Sequence, residues 1–146
     1  MKIGIVVADA GRARIFSTPR LGSALESLKD LTNPHGTQQE QELTSDRSGH
    51  TRSPSGTGHT MSNKVKFKDQ EAHQFAKGVV SELEDSYQTD HFDKLYLVAA
   101  PRFLGHLRQE LSPELQKLIS GELAKDFSLM SEQEIQKHLH ELGRLH

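Results

Sequence analysis

Hydrophobic and polar positions alternate along this chain in blocks that change period. Lys2 to Ala8 is an almost unbroken Ile/Val run and predicts a buried strand. Asp9-Ala10-Gly11 follows with turn chemistry, since Asp and Gly tolerate left-handed backbone angles. Ala13, Ile15 and Ser17 then alternate with Arg12, Arg14 and Phe16, which predicts a second strand paired back as a hairpin. After a turn over Pro19 to Ser23, Leu25 to Thr32 reads as a third strand. The period changes at Asp69. Ala72, Phe75, Ala76, Val79, Val80, Leu83 and Tyr87 recur at three- and four-residue steps, the mark of an amphipathic helix. Asp69 and Glu71 are expected in its first turn, where the helix dipole favours acids. His73 lies beside the apolar stripe and reads as a boundary residue.

Leu95 to Ala100 is apolar on both faces, as suits a central strand covered on both sides. Pro101 opens a helix bearing Phe103, Leu104, Leu107 and Leu111. Ser112-Pro113-Glu114 starts a short helix through Leu118, and Ile119 to Ser128 contains a last strand. Ser131 and Glu134 form a capping box ahead of a final helix with Ile135, Leu139 and Leu142. The order predicts an α/β fold of about five strands in a mixed sheet: a three-strand antiparallel meander, then helix, strand, helix, strand, helix, with helices on the sheet faces.

Between the third strand and the long helix, residues 33–64 break every pattern. Only Leu43 and Met61 offer a large apolar side chain there. Structureless stretches beyond about 12–15 residues are uncommon in compact domains, so a long disordered loop is expected within one domain spanning residues 1–146. The loop is also charged. From Asp46 to Lys68, five cations (Arg47, Arg52, Lys64, Lys66, Lys68) face one acid, a net of +4. The whole chain carries −2, so the remainder carries −6. A positive loop on an acidic body points to a local anionic contact, or to a solvated insertion.

Several chemistries are not supported. With no cysteine there is no disulfide, thiol nucleophile or thiolate site. Nine histidines are present, but their spacing matches no metal motif, and His138 and His140 diverge around a helix. Gly56-Thr57-Gly58 lacks the lysine and following helix of a phosphate loop, and no nucleophile elbow occurs. No metal and no cofactor are expected. The first apolar run is too short to span a membrane, which predicts a soluble, cytoplasmic protein.

Three constellations remain. At Ala99-Ala100-Pro101-Arg102 a strand meets a helix N-terminus, where unpaired N–H groups and Arg102 can hold an anion, unless Arg102 pairs with a nearby acid. Arg12 and Arg14 share one strand face and form an anion patch or pair with acids of a neighbouring strand. Asp9 beside them is a turn residue or a general base. Lys125 and Asp126 are a charged pair in a partly apolar segment, read by default as surface residues pairing with each other.

Val7 to Phe16, Ser45 to Gly49, Glu71 to Ala76, Leu97 to Arg108 and the Lys125-Asp126 pair resemble segments of a bacterial family of host-attachment proteins, "required for attachment to host cells". The order of elements is also similar to the middle domain of archaeal and eukaryotic class-1 translation release factors, which implies an RNase H-like sheet. In that domain a glycine-rich loop carries Gly-Gly-Gln into the peptidyl-transferase centre. Here the corresponding stretch runs from Ser53 to Thr60, and the chain has no Gly-Gly-Gln.

The resemblance implies a ribosome- or tRNA-binding module in translation quality control, contacting RNA through residues 45–64 without peptide-release chemistry. Its candidate contacts are Arg12, Arg14, Arg47, Arg52, Gly56, Gly58, His59, Lys64 and Arg102. The competing expectations are a metal-dependent hydrolase or nuclease on the same scaffold, with Asp9 its one well-placed acid, and a non-catalytic protein-interaction module that affects attachment indirectly.

Overall fold

The computed structural model describes residues 1–34 and 57–145, with side chains over 1–34 and 69–143. Strand β1 (Ile3–Ala8), β2 (Arg12–Thr18) and β3 (Glu26–Thr32) form the meander. Helix α1 (Thr57–Asp90) leads into β4 (Lys94–Ala99), followed by α2 (Pro101–Glu110), α3 (Pro113–Leu118), β5 (Ile119–Leu123) and α4 (Glu132–Leu145). The five strands lie in the order β3-β2-β1-β4-β5. β1 pairs antiparallel with β2 but parallel with β4, and β4 pairs parallel with β5. This is the mixed sheet of five strands, opening with a three-strand antiparallel meander, expected from the order of elements.

The period-two pattern of the strands sorts the core into two layers. Val6, Ala8, Ala13, Ile15, Leu95, Leu97 and Ala99 face α1, α2 and α3. Ile5, Val7, Phe16, Tyr96 and Val98 face the opposite way, toward Phe127 and the α4 residues Ile135 and Leu139. β1 and most of β4 are therefore buried on both sides, which is why they read as continuous apolar runs. Each fully buried Leu, Ile or Phe contributes about 1.5–3 kcal/mol relative to exposure.

The local signals hold at most boundaries. Pro101 is in the first turn of α2. Ser112 caps α3 by accepting from the Leu115 N–H at 3.2 Å. Ser131 and Glu134 exchange their capping-box bonds, each at 3.2 Å.

Three expectations are corrected. α1 begins at Thr57, not near Asp69, so Gly58, His59 and Lys64 stand on helical backbone and Asp69 and Glu71 are interior. A helix does follow Gly56-Thr57-Gly58, although the phosphate-loop lysine is still missing. The amphipathic stretch from Ala72 onward nucleates the helix against the sheet. Extending it backward then costs little, because each added residue gains one hydrogen bond. Residues 57–64 of the stretch expected as a loop are thus helical, while residues 35–56, with Arg47, Arg52 and Gly56, lie outside the described residues. The last strand, β5, occupies Ile119–Leu123, inside the 119–128 stretch expected to contain it. Asp126 accepts the Ser128 N–H at 2.9 Å, a turn that carries Phe127 to the α4 side of the sheet.

Gly4 shows how closely the α1 side is packed. A Cβ there would lie 2.7 Å from the buried Phe92 ring. Gly4→Ala is expected to destabilise the fold by about 1–3 kcal/mol through overpacking. Urea unfolding followed by circular dichroism measures this, and an unchanged midpoint would show that the ring moves aside freely.

Candidate functional site

β1, β4 and β5 run parallel, so their carboxyl ends share one edge of the sheet. The connection from β1 leads outward to β2, and the one from β4 leads the other way toward β5. In open α/β sheets the edge at such a reversal is the usual ligand position, since diverging connections leave a crevice. Asp9 follows β1 at this edge, Ala100 follows β4, and Asp126 lies three residues past β5. The Ala100 N–H donates to Ala8 O at 3.2 Å and closes the β1–β4 pair.

Asp9 does two jobs. Its Oδ1 accepts from the N–H groups of Gly11 at 2.8 Å and Arg12 at 2.9 Å, which builds the hairpin turn. Its Oδ2 faces Ser128 Oγ at 3.0 Å. The same hydroxyl lies 2.6 Å from Asp126 Oδ1. A hydroxyl has one hydrogen and can donate to only one of the two carboxylates at a time. A second proton on the pair relieves that shortage. Burial and the hydrogen bond to Asp126 push the Asp9 carboxyl above its usual range, against the lowering effect of the two turn N–H groups. Burial also works against the charge of Asp126, yet the hydroxyl and N–H of Ser128, the Asp9 carboxyl and the Arg12 guanidinium together hold it low. The two carboxyls are thus pushed in opposite directions, Asp9 up and Asp126 down.

Beside this pair a groove of about 360 Å³ is lined by Arg12, Arg14, Asp30, Ser128, Leu129 and Met130 among others. Arg14 is committed within it. Its Nη1 donates to Met130 O at 2.7 Å, its guanidinium lies 5.0 Å above the Phe16 ring, and Asp30 and Glu132 each approach to 3.9 Å. Arg102 stands apart on the α1–α2 side, 3.6 Å from Asp69 and largely exposed. Arg102 and Arg14 each have an acid within ion-pair distance, as one of the two sequence readings has it. The structure thus brings Arg12 and Arg14 together, separates Arg102 from their groove, and shows Gly58, His59 and Lys64 as backbone positions of α1.

Sequence reasoning missed Asp126 and Ser128 as partners of Asp9, 117 and 119 positions away. The one available signal was a charged pair inside an apolar segment. Among the described residues, no three His, Cys, Asp or Glu side chains gather in a way that would hold a metal ion.

The Asp9 pKa sets a pH dependence with a definite sign. A carboxyl whose folded pKa is raised stabilises the protein fully below its unfolded pKa, about 3.9 for Asp, and loses that contribution as pH rises through the folded value. Asp126, held low, acts in the opposite direction. Asp9→Asn keeps the turn acceptor and removes the titrating group. It is expected to match or exceed the wild type in urea midpoint at pH 7 and to lose ground to it as pH falls below the folded pKa of Asp9. A variant that is much weaker at pH 7 but equal at pH 4 would show that Asp9 works as a charged group.

The chain is 36 % identical over 62 residues to the uncharacterized protein RP470 of Rickettsia prowazekii (strain Madrid E). That match covers 41 % of this chain and 41 % of the relative, so the chain spans about two fifths of its length. Among solved structures it is similar to an archaeal translation termination factor, aRF1, with a TM-score of 0.46 and 14 % identity, over 99 % of this chain and 40 % of that one. A second archaeal protein is similar at a TM-score of 0.45 and 14 % identity, with the same shares covered. Likenesses of that degree carry no functional argument. The match that identifies the chain is to a family model over residues 4–139, and on it the chain belongs to the family of proteins required for attachment to host cells.

Proposed function

We propose that this protein is an RNA-contacting module that engages the ribosome or tRNA in the cytoplasm through residues 45–64, without peptide-release chemistry. The observation that supports the reading is the rooting of this segment. Asn33, buried just after β3, donates its side-chain N–H to Ala10 O and its backbone N–H to Gly11 O, each at 2.9 Å. The chain therefore leaves the sheet at the same edge that carries Asp9 and Arg12. It returns through α1, whose Thr57–Asp90 span carries Lys64, Lys66 and Lys68 before the helix reaches Asp69 beside α2.

Charge supports the same division of labour. Arg14 and Arg102 are paired with acids, so the anion contact falls to the stretch from Asp46 to Lys68 with its net +4. Phosphate contacts of this kind give affinity without sequence readout. The resemblance in element order to release-factor middle domains is what directs the reading to the ribosome and tRNA rather than to other polyanions.

A second reading has one observation behind it. Asp9 and Asp126 place two carboxylates of unequal pKa at the carboxyl edge of parallel strands, as acid–base hydrolysis requires. Mg²⁺ held by one or two carboxylates and substrate phosphates would suit the nuclease version. Incubation of labelled tRNA with the protein and Mg²⁺ tests it: cleavage that disappears in both Asp9→Asn and Asp126→Asn supports an enzyme, and intact tRNA rejects one.

For the RNA-contacting reading, the experiment is co-sedimentation with ribosomes and filter binding of tRNA at several salt concentrations. Arg47→Ala/Arg52→Ala/Lys64→Ala is expected to weaken binding uniformly across RNA sequences and to flatten the slope of log affinity against log salt by about 2–3. Binding that is unchanged in the triple variant would exclude the segment as the contact. Absence of association at low salt would reject the reading itself.

A further inference from the structure

Helices α1 and α2 both run back from the carboxyl edge, so they lie parallel, and three side-chain rungs join them at one-turn spacing. Asp69 meets Arg102 at 3.6 Å, His73 meets His106 at 3.3 Å, and Lys77 meets Glu110 at 3.9 Å. Positions 69, 73 and 77 on α1 thus match 102, 106 and 110 on α2, each set four residues apart along one helix face. The apolar residues Ala72, Ala76, Phe103 and Leu107 lie beneath this seam. The outer rungs are ion pairs of opposite polarity. The middle rung sets two bases against each other.

The contacts around the middle rung define its chemistry. His73 Nε2 lies 3.4 Å from Glu110 Oε1, which favours the ring proton on that nitrogen and leaves a lone pair on Nδ1. That lone pair faces Nδ1 of His106. Two imidazole nitrogens at this distance need something positive between them, either one shared hydrogen or a cation. Zinc bound to imidazole at 2.0–2.1 Å in a tetrahedron sets its ligand nitrogens about 3.3–3.4 Å apart, and the observed separation is 3.3 Å. A carboxylate on the far nitrogen of a ligating histidine is the usual arrangement that orients the ring and raises its basicity. Glu110 stands in that relation to His73, with Lys77 nearby to balance its charge.

We propose that His73 and His106 form a two-imidazole chelate for a borderline divalent ion of the Zn²⁺ class, stapling α1 to α2. No third His, Cys, Asp or Glu joins them in a ligand cluster among the described residues. Two positions of the ion remain for water, for a donor atom outside the described residues or for a donor atom of a partner. Imidazole ligands select Zn²⁺, Ni²⁺ or Cu²⁺ over Mg²⁺ and Ca²⁺, which prefer oxygen. The site is independent of the RNA-contacting reading.

The test uses the full chain, with Zn²⁺ and Mg²⁺ as probes and the imidazole nitrogen resonances as the readout, since these report each histidine separately. The expected result is that His73 and His106 shift together at the lowest Zn²⁺ additions and do not respond to Mg²⁺. In calorimetry, His73→Gln and His106→Gln should each abolish this tightest site, Glu110→Gln should weaken it by about tenfold, and His138→Gln/His140→Gln should leave it intact. Zn²⁺ should raise the melting temperature of the wild type but not of His106→Gln. Zn²⁺ shifts confined to other histidines, or none at all, would overturn the proposal. Because the resonance titration is made on the unaltered protein, a variant that fails to fold does not blunt it.

Discussion

All six residues of β1 are buried, and both edges of the strand are hydrogen-bonded, antiparallel to β2 on one side and parallel to β4 on the other. The rest of the molecule is arranged around that constraint. A strand with no solvated face needs a layer on each side of the sheet, and α1 to α3 supply one while α4 supplies the other. A strand with one antiparallel and one parallel neighbour also marks the point where the connections diverge. The first polar residue past its end, Asp9, is thereby placed at the crevice of the sheet.

What Asp9 can do there follows from its neighbours. Turn N–H groups would by themselves hold a carboxylate charged. The contact with Asp126 through a single Ser128 hydroxyl works in the other direction, and burial, the largest cause, leaves the Asp9 carboxyl above its usual range. The same contact fastens the β1–β2 turn to the segment between β5 and α4. One pair of acids thus joins the first and last thirds of the chain at the edge from which the long charged segment departs.

The α1–α2 seam obeys a different rule. Its buried side is apolar and its outer side is polar, and the one-turn repeat sets Asp69, His73 and Lys77 opposite Arg102, His106 and Glu110. Ion pairs at this level of exposure are worth little individually, about 0–1 kcal/mol. They serve to fix the register of two parallel helices, and the register is what brings the two imidazoles together.

The sequence alone determined the elements whose signals are local. Period two in β1 and β2, period near 3.6 from Ala72 to Tyr87, Pro101 in a first helical turn, and the Ser131/Glu134 capping box all depend on residues within a few positions of one another. The start of α1 was not legible, because Thr57 to Lys68 is mostly polar, with only Met61, Val65 and Phe67 as large apolar residues. The end of β5 was obscured because Phe127 is apolar for the layer on the other side of the sheet. The family was legible as motifs, and the sheet order as a consequence of short connections. Only the tertiary structure decided that Asp126 and Ser128 face Asp9, that Arg14 and Arg102 pair with acids, and that His73 meets His106. Those contacts join residues 16 to 119 positions apart, and such a separation leaves no periodicity to read: it is the burial of β1 and β4 between two layers that brings the partners within bonding distance.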